Sequence, residues 1–468
     1  MNILDKHQKK ILESKLNTKI IAGAGTGKTF SLLAKINYLV NNEKINPHKI
    51  LVVSFTNASV DDIKRKLKFK VDVLTFHKLS IKILDTKKLQ LNLINSNYLE
   101  FIIEEYLHTL NYKQKKCILK YLKYDKNYSF FLKSKEYLSF KKFIYKYICL
   151  IKSNDITSLN ICEIKFNRLE KNILFIILNI YKIYIEEKNG TNSIDLDDLI
   201  TYATSYVPYS NLKYDYIIID EFQDTSLIRF NLIKALYEYS QSKLIVVGDD
   251  WQSIYRFTGC NLNLFLELDK FIHPLTTIKL EKNYRNSNEI LKISKIFIEK
   301  NKKQIKKDLY SDNFIENPIK FIPYKNKYFE LLKILINIIN CNQDVIIISR
   351  NNKDIFEYTG KEIKFENEYV IVRNHKFKYL TIHKSKGLEC ENIILLNCND
   401  NIMGIPNKIE DNSIIKKTFE DNEIKYSEER RLMYVALTRA KNYIYILYNK
   451  KHPSIFVKEI KKIIKKLS

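Results

Sequence analysis

The stretch Ile20-Ile21-Ala22-Gly23-Ala24-Gly25-Thr26-Gly27-Lys28-Thr29 decides the fold class, because it joins an apolar strand, a glycine-rich turn and the start of a helix. Glycine lets successive backbone N–H groups turn toward a phosphate at the N-terminus of the helix. Lys28 would then reach phosphate oxygens, and the Thr29 hydroxyl would hold Mg²⁺. Three of the nine glycines of the chain lie here, so an ordinary turn is a poor alternative.

A pair of adjacent carboxylates supplies the second half of a nucleotide site. Asp220 and Glu221 follow the apolar run Ile217-Ile218-Ile219. Two carboxylates at the mouth of a buried strand are costly unless a cation neutralises them. Asp220 would therefore bind Mg²⁺, directly or through water, and Glu221 would polarise an attacking water. The alternative interpretation of this pair is the solvated start of a loop.

Apolar runs followed by loops and helical patterns indicate two α/β domains. The first domain is predicted to contain parallel strands at residues 18–22, 50–55, 216–219 and 244–247. The second is predicted to contain strands at residues 344–349, 379–382, 392–396 and 443–447. Between about residue 80 and Gly190 the pattern is helical and rich in Tyr and Lys, which predicts a helical subdomain inserted into the first domain.

Composition excludes several classes of protein. The 468 residues carry a formal net charge of +26, which suits a polyanion such as nucleic acid, although abundant lysine is also consistent with background composition. Nine Gly and seven Pro exclude collagen-like and low-complexity chains. The seven Cys form no C-x-x-C pair, so neither a disulfide framework nor a zinc site is indicated. We see no signal segment or membrane-length apolar run, and therefore expect a cytoplasmic location without a membrane partner.

The hexapeptide Asp220-Glu221-Phe222-Gln223-Asp224-Thr225 resembles the signature of the UvrD/Rep-like superfamily 1 DNA helicases. The other motifs of that family occur in its order along the chain, at Gln8, Ala22–Thr29, Phe55–Asn57, Thr75–His77, Val247–Tyr255, Asn283–Arg285, His383–Glu389, Glu428–Arg431 and Leu437–Ala440. The motif around Trp251, the single tryptophan, is most similar to that of helicase IV within the family. Such a series of motifs in order is far more specific than any one of them.

The resemblance implies an α/β fold with two RecA-like P-loop NTPase domains, each built on a parallel sheet. Residues 1–80 and 195–275 would form the ATP-binding domain, called 1A in the family. Residues 81–194 would form the helical insertion 1B, and residues 276–468 the second RecA-like domain 2A. The stretch available for a helical insertion in 2A is short, so this insertion, 2B, is expected to be reduced or absent, with a remnant near residues 352–378.

The resemblance also implies ATP and Mg²⁺ as cofactors and assigns roles to individual residues. The implied catalytic residues are Lys28, Asp220, Glu221, Gln252, Arg285 and Arg439, with the two arginines reaching the γ-phosphate from the second domain. The implied nucleotide contacts are Gln8 and Tyr284 on adenine, Ala22, Gly23, Ala24, Gly25, Thr26, Gly27, Lys28 and Thr29 on the phosphates, Glu389 on the ribose, and Arg285 and Arg439. Thr29 and Asp220 would hold Mg²⁺. Taken singly, a surface salt bridge or a packed aromatic is the simpler interpretation of the residues outside the phosphate loop.

A surface that binds single-stranded DNA is implied as well. Its residues would be Phe55, Thr56, Asn57, Thr75, His77, Tyr255, Phe257 and His383. The two threonines, Asn57 and His77 belong to motifs that bind strand phosphates. The aromatics Phe55, Tyr255 and Phe257 match positions that stack on bases, a sequence-tolerant contact that suits a moving enzyme. Ordinary core packing is the alternative for these aromatics.

The sequence departs from the family pattern at several positions. Ala22, which is part of the family match, differs only from the general pattern G-x-x-x-x-G-K-[ST], whose first glycine it replaces in a variant that the turn tolerates. Phe30 stands where the most similar enzymes carry an adenine-stacking arginine, which puts nucleotide selectivity in doubt. Ala58 follows Asn57 where a lysine is usual, so one phosphate contact is lost.

The hypothesis drawn from the sequence is an ATP-dependent helicase or translocase that moves 3′→5′ on single-stranded DNA, a direction taken from the family. The expected partners are single-stranded DNA and duplexes with a 3′ single-stranded tail, and the expected state is a monomer or weak oligomer. One alternative is a translocase that displaces DNA-bound proteins but separates duplexes poorly. A second alternative is an NTPase that acts on RNA.

Overall fold

The computed structural model describes residues 4–86, 92–95, 97–419 and 424–467. The chain begins with alternating helices and strands, namely α1 (Lys6–Glu13), β1 (Asn17–Ile21), α2 (Lys28–Asn41), β2 (Ile50–Ser54), α3 (Asn57–Lys66), β3 (Asp72–Thr75) and α4 (Phe76–Asp85). Strands β1 and β2 are buried along their whole length. Burial on both faces explains the continuous apolar run of β2, residues 50–53, whereas in β1 only Ile20 and Ile21 are apolar.

A helical insertion follows, and we use that term for residues 92–190. Its elements are β4 (Asn92–Leu93), α5 (Asn97–Thr109), α6 (Tyr112–Leu122), α7 (Tyr128–Phe131), α8 (Lys135–Ser153), α9 (Ser158–Cys162) and α10 (Arg168–Gly190). Apolar side chains of α5, α8 and α10 form one core between these helices. The predicted range 81–194 starts inside α4, whose residues Ile83 and Leu84 pack in the core of the first domain instead.

The chain then returns to the first sheet through β5 (Ser193–Ile194), α11 (Leu196–Tyr206), β6 (Tyr216–Ile219), α12 (Leu227–Ser240), β7 (Lys243–Gly248), α13 (Asn263–Leu266) and β8 (Leu275–Lys279). The strand order is β3-β2-β6-β7-β1-β8, and all pairs are parallel. Strand β8 pairs with β1 from Leu275 to Lys279, so the first domain extends past the expected boundary at residues 275 and 276. Because the strands are parallel, the segments that follow β1, β2, β6 and β7 meet at one edge of the sheet.

The second domain contains α14 (Asn288–Ile298), β9 (Ile319–Tyr324), α15 (Lys327–Asn340), β10 (Val345–Ser349), β11 (Lys364–Glu366), β12 (Tyr369–Val372), β13 (His375–Thr381), β14 (Cys390–Leu395), α16 (Ser413–Phe419), α17 (Ser427–Leu437), β15 (Ala440–Asn449) and α18 (Ile455–Leu467). Its sheet has the order β11-β12-β13-β10-β14-β15-β9. The strands from β13 to β9 are parallel, whereas β11, β12 and β13 form an antiparallel meander. Both domains therefore have the α/β architecture that the sequence predicts.

The expected remnant of a second helical insertion, residues 352–378, contains a 3₁₀ turn at Asp354–Glu357 and the strands β11 and β12. These strands extend the second sheet rather than forming a subdomain of their own. Within residues 286–380, all of which the structure describes, the only α-helices are α14 and α15. Residues 286–380 of the second domain thus contain no helical insertion.

Two apolar cores cover the two faces of the first sheet, and two more cover those of the second. This double coverage fixes the strand ends, and with them the segments that carry the motifs. None of the helices in the described parts of the chain has the length and apolar character needed to cross a membrane.

Candidate nucleotide cleft and nucleic-acid groove

The phosphate loop is a tight turn between β1 and α2. Gly25 and Gly27 both have a φ of 75°, a left-handed conformation that glycine adopts without the steric cost of a Cβ. A Cβ on Gly25 would also lie 2.7 Å from the Cβ of Arg285. The helix begins at Lys28, so its first backbone N–H groups face the turn, as an anion site at a helix N-terminus requires.

The two carboxylates lie at the end of β6, directly beside this loop. Glu221 has a φ of 52°, an unusual value for a residue with a Cβ, and its carboxylate lies 2.7 Å from Lys28 Nζ. Burial alone would raise the pKa of Glu221, but the positive charges of Lys28 and Lys386 outweigh it and hold that pKa below its usual range. Burial and the neighbouring Glu221 raise the pKa of Asp220. Lys28 and Glu221 therefore form an ion pair.

The loop and Glu221 line a cleft of about 610 Å³ between the two domains. Its lining comprises Gln8, Ala24, Gly25, Gly27, Lys28, Thr29, Phe30, Glu221, Gln252, Tyr284, Arg285, Gly387, Glu389 and Arg439. Four of the residues implied for nucleotide or metal binding lie behind this lining: Ala22, Gly23, Thr26 and Asp220. The hydroxyl of Thr26 donates to the Gly23 carbonyl at 3.0 Å, which braces the turn from inside.

A chain of polar contacts joins the domains across the cleft. Arg439 Nη2 of the second domain donates to Gln252 Oε1 of the first at 2.8 Å, and Gln252 Nε2 donates to Asp249 Oδ2 at 2.6 Å. The buried Lys307 forms an ion pair with Asp249. Burial and the nearby Arg285 lower the pKa of Arg439 to about 9, which leaves the guanidinium charged at neutral pH. An arginine of the second domain thus contacts the glutamine implied to touch the γ-phosphate.

Arg285 and Glu389 pair with each other in this structure. Arg285 Nε lies 2.7 Å from Glu389 Oε2, and Lys441 Nζ lies 2.9 Å from Glu389 Oε1. Both carboxylate oxygens of Glu389 are therefore occupied by cations. The implied roles, Arg285 on phosphate and Glu389 on ribose, require nucleotide to displace at least part of this pair, and they stay predictions.

The end of the cleft implied to bind adenine is aromatic. Tyr284 is 52% exposed, and its hydroxyl donates to Asp5 Oδ2 at 2.9 Å. Gln8 is buried in a capping box with Asp5 at the start of α1. Phe30, at the position that departs from the family pattern, is 40% exposed and lines the cleft. Two ring faces are thus available to a flat base at this end.

Sequence reasoning assigned no role to several residues of the site. Lys386, whose side chain is 8% exposed, forms an ion pair with Asp224, and its ammonium group lies 3.6 Å from Glu221 Oε2. Its ammonium group also lies 5.0 Å from the centre of the Tyr255 ring, so it connects the carboxylates to the segment after Gln252. Lys386 is part of the motif His383–Glu389, and that membership was the available signal. Lys307 lies in no recognised motif, and local sequence carried no signal for it.

A second cavity, of about 980 Å³, lies between the helical insertion, the first domain and the second domain; we call it the groove. Of the eight residues implied to bind DNA, Phe257 and His383 line it. The Tyr255 hydroxyl donates to the His383 carbonyl at 3.1 Å, and the Phe257 ring centre lies 5.7 Å from that of His383. Burial, together with the charges of Arg350 and Lys386, lowers the pKa of His383 to about 4.

The other five implied DNA contacts lie outside the lining of the groove, at the ends of β2 and β3. Thr56 and Thr75 cap α3 and α4, accepting hydrogen bonds from Ser59 N and Lys78 N. Thr56 and Asn57 are exposed, and His77 is half-buried. Phe55 packs edge-on against the buried Phe76, with ring centres 5.3 Å apart. These positions share the sheet edge with the phosphate loop, and their contact with DNA stays a prediction.

Seven cationic side chains line the groove, and four acidic ones do so. Many of them are paired with one another. Arg350 Nη2 lies 2.8 Å from Glu429 Oε1, and Lys146 and Lys416 form ion pairs with Asp411 and Glu410. The phosphates of a nucleic-acid backbone could thus replace the acidic groups as partners of these cations.

Comparison with known proteins agrees with this geometry. Residues 4–273 match the UvrD/REP helicase N-terminal domain, and residues 361–451 match the UvrD-like helicase C-terminal domain. The chain therefore belongs to the UvrD/Rep helicase family, as the motifs predict.

Individual relatives differ in how much of them the chain covers. The ATP-dependent DNA helicase Rep of Buchnera aphidicola subsp. Schizaphis graminum is 34% identical over 344 residues, which cover 70% of this chain and 49% of that protein. The probable DNA helicase II homolog of Mycoplasma capricolum is 33% identical, covering 67% of this chain and 43% of that protein. DNA helicase IV of Escherichia coli is 25% identical over 95% of this chain and 68% of that protein. The chain thus spans about half the length of the first two relatives.

Proposed function

We propose that this chain is an ATP-driven motor that moves 3′→5′ along single-stranded DNA, the direction being that of the family. One observation carries the proposal: residues of both domains line a single cleft, and Arg439 donates to Gln252 across it. A nucleotide in this cleft would contact both domains at once. Its hydrolysis would change the contacts that hold the domains together, and the two domains would then move relative to each other.

The residues of the cleft would have different roles in ATP hydrolysis. Backbone N–H groups at the start of α2 and the Lys28 ammonium group would bind phosphate oxygens. When phosphate draws Lys28 away, the Glu221 carboxylate loses its partner at 2.7 Å and becomes free to accept a proton from water. Arg285 and Arg439 would stabilise the charge on the transferred phosphoryl group, for which a planar guanidinium is well suited.

The donor set also fits Mg²⁺. The Thr29 hydroxyl and the Asp220 carboxylate are both oxygen ligands at the mouth of the parallel sheet, and Mg²⁺ prefers oxygen. We propose these two residues as its protein ligands, with nucleotide phosphates completing the site. Mg²⁺ would neutralise phosphate charge there.

The segment from Asp249 to Phe257 links the cleft to the groove. Gln252 faces the nucleotide cleft, and Tyr255 and Phe257 contact His383 at the groove. A shift of Gln252 on hydrolysis would therefore be transmitted along a few residues to aromatics that can stack on bases. This link supports single-stranded DNA, or a duplex with a 3′ single-stranded tail, as the substrate. A protein that acts on DNA belongs in the compartment that holds it, which for a bacterial cell is the cytoplasm.

The test is ATP hydrolysis with and without single-stranded DNA at low salt. We expect stimulation by DNA, and a loss of turnover of at least about 100-fold in Lys28→Ala and in Glu221→Gln, because each removes charge or proton transfer at the transition state. Lys302→Ala, a change at an exposed lysine, is the matched control and should hydrolyse ATP normally. Equal rates with and without DNA would overturn the proposed function.

A second candidate is a translocase that displaces DNA-bound proteins and separates duplexes poorly. The absence of a helical insertion from residues 286–380 favours it, because less surface is available to engage a duplex. Two assays with one preparation separate the candidates. Removal of streptavidin from a biotinylated single strand without separation of a 3′-tailed duplex would select the second.

A further inference from the structure

Helix α16 belongs by chain order to the second domain but packs in the helical insertion. It lies between β14 and α17, yet Ile414 and Ile415 are buried in the core formed by α5, α8 and α10. Their exposed fractions are 0% and 3%. A short helix with three apolar side chains, two of them buried, gains this burial only in a core that another part of the chain supplies.

Polar contacts hold both ends of this segment to the insertion. Before the helix, the Tyr121 hydroxyl donates to Asn412 Oδ1 at 2.6 Å, and Lys146 forms an ion pair with Asp411. Within the helix, Lys417 Nζ lies 2.6 Å from the buried Glu170. We call residues 411–419 the clasp, because they attach the second domain to the helical insertion.

The clasp completes a ring of contacts among three parts of the molecule. Asn154 Nδ2 of the insertion donates to the Gly259 carbonyl of the first domain at 3.2 Å. The first domain contacts the second through the Tyr255 hydroxyl and the His383 carbonyl. The clasp then joins the second domain back to the insertion. Asn154, Gly259, His383 and Asp411 all line the groove, so each of these contacts borders it.

We propose that the clasp closes the groove into a tunnel, and that a single strand of DNA is bound inside it, encircled by the protein. This inference rests on the proposed function and specifies how the substrate is held. Phe257 and the cations of the lining, among them Arg350 and Lys146, supply the stacking surface and the positive charge that a single strand needs. A strand without free ends can enter only when the clasp opens, whereas a strand with an end can be threaded.

A covalent lock on the clasp tests this topology. Tyr121 and Asn412 are hydrogen-bonded to each other outside the lining of the groove, and a short bis-maleimide should join Tyr121→Cys to Asn412→Cys. The background replaces by serine the five cysteines that are not buried, Cys117, Cys149, Cys162, Cys341 and Cys390. The two probes are a covalently closed single-stranded circle and the linear strand of the same sequence.

The order of locking and mixing decides the outcome. Protein locked before mixing should bind the linear strand and fail to bind the circle. Protein locked after mixing should stay on the circle in high salt at least about tenfold longer than unlocked protein, because salt screens contacts but leaves a closed ring intact. If protein locked beforehand binds the circle as well as the linear strand, the tunnel is overturned while the proposed function stands. If neither strand is bound before locking, both fail.

A variant that loosens the clasp gives an independent measurement. Ile414→Asp places a carboxylate in the core of the insertion, away from the lining of the groove, and should release α16, so that the complex with linear DNA dissociates at least about tenfold faster in a salt challenge. Ile402→Asp, a change at an isoleucine that is 66% exposed in the same connection, is the control. Circular dichroism checks that the insertion remains helical, and unchanged dissociation of a folded Ile414→Asp protein would contradict the proposal.

Discussion

Lys307 lies beneath the nucleotide cleft, where its ammonium group pairs with Asp249 and lies 2.7 Å from Asp250 Oδ1. All three side chains are buried. Burial would lower the pKa of Lys307, but the two carboxylates outweigh it and raise that pKa, so the lysine remains charged. Asp249 in turn accepts from Gln252, which contacts Arg439. One buried cation thus supports the contact that joins the two domains.

Lys307→Met should destabilise the protein strongly. It leaves two buried carboxylates without a cation, and breaking a buried ion pair in this way costs about 3–5 kcal/mol. Urea unfolding at neutral pH measures the change. Lys306→Met, at the exposed neighbouring lysine, is the control and should unfold as the parent does. Equal stability of the two variants would show that Asp249 and Asp250 do not depend on Lys307.

His383 predicts a specific dependence of stability on pH. Its pKa is lowered from the usual 6.5 to about 4 by burial and by Arg350 and Lys386. As pH falls below about 6.5 the unfolded chain takes up this proton before the folded one, so stability is lost between pH 6.5 and pH 4. His383→Gln should therefore lose less stability at pH 5, by on the order of 1 kcal/mol. Thermal unfolding at pH 7 and pH 5 measures this, and His48→Gln, at an exposed histidine, should behave like the parent.

At the scale of the element, the turn between β1 and α2 allows little side-chain volume. Gly25→Ala would strain a backbone with a φ of 75° and would place a Cβ 2.7 Å from Arg285 Cβ. We expect a loss of at least about 1 kcal/mol of stability together with weakened ATP binding. Gly190→Ala, at a helical glycine with nothing within 4 Å, should be neutral or stabilising by up to about 1 kcal/mol. Nucleotide titration measures the affinity of both variants for ATP. Equal affinities would show that the turn at Gly25 does accept a side chain.

Most interior strands of the two sheets could be predicted from the sequence, whereas edge strands could not. The predicted range 216–219 coincides with β6, and the range 50–55 differs from β2 by one residue. Both strands are interior and buried on both faces, so their sequences are continuously apolar. The strands that were not predicted include the edge strands of both sheets, β3, β8, β9 and β11. Edge strands are covered less, and their polar residues hide the pattern.

Whether a residue of the site can be predicted from the sequence also depends on whether its role is set by neighbouring or by distant residues. The phosphate loop and the carboxylates were predictable because a tight turn and a buried strand end restrict residue type within a few positions. The ion pairs of Lys307 and Lys386 were not predictable, because their partners Asp249 and Asp224 lie 58 and 162 residues away along the chain. The burial of α16 was equally hidden, since its core comes from residues of the helical insertion. Contacts at such separation exist only after the domains have assembled.

At the scale of the whole molecule, Trp251 is one of the side chains through which the two domains meet. It is fully buried, donates from its ring nitrogen to the Ile305 carbonyl at 3.0 Å, and packs edge-on against Tyr434 of the second domain. The Lys307 ammonium group lies 4.7 Å from its ring centre. Movement of the second domain would therefore change the surroundings of this ring.

Because the chain has a single tryptophan, its intrinsic fluorescence should report on movement between the two domains. Light absorbed by tryptophan and not by tyrosine would excite one indole, whose emission should change when a non-hydrolysable ATP analogue saturates the cleft. Trp251→Phe should abolish the signal, which identifies its source. An unchanged emission at saturating nucleotide would mean that Trp251 and Tyr434 move as one body. With a responsive signal, nucleotide binding, strand entry and turnover could each be timed in an unlabelled protein.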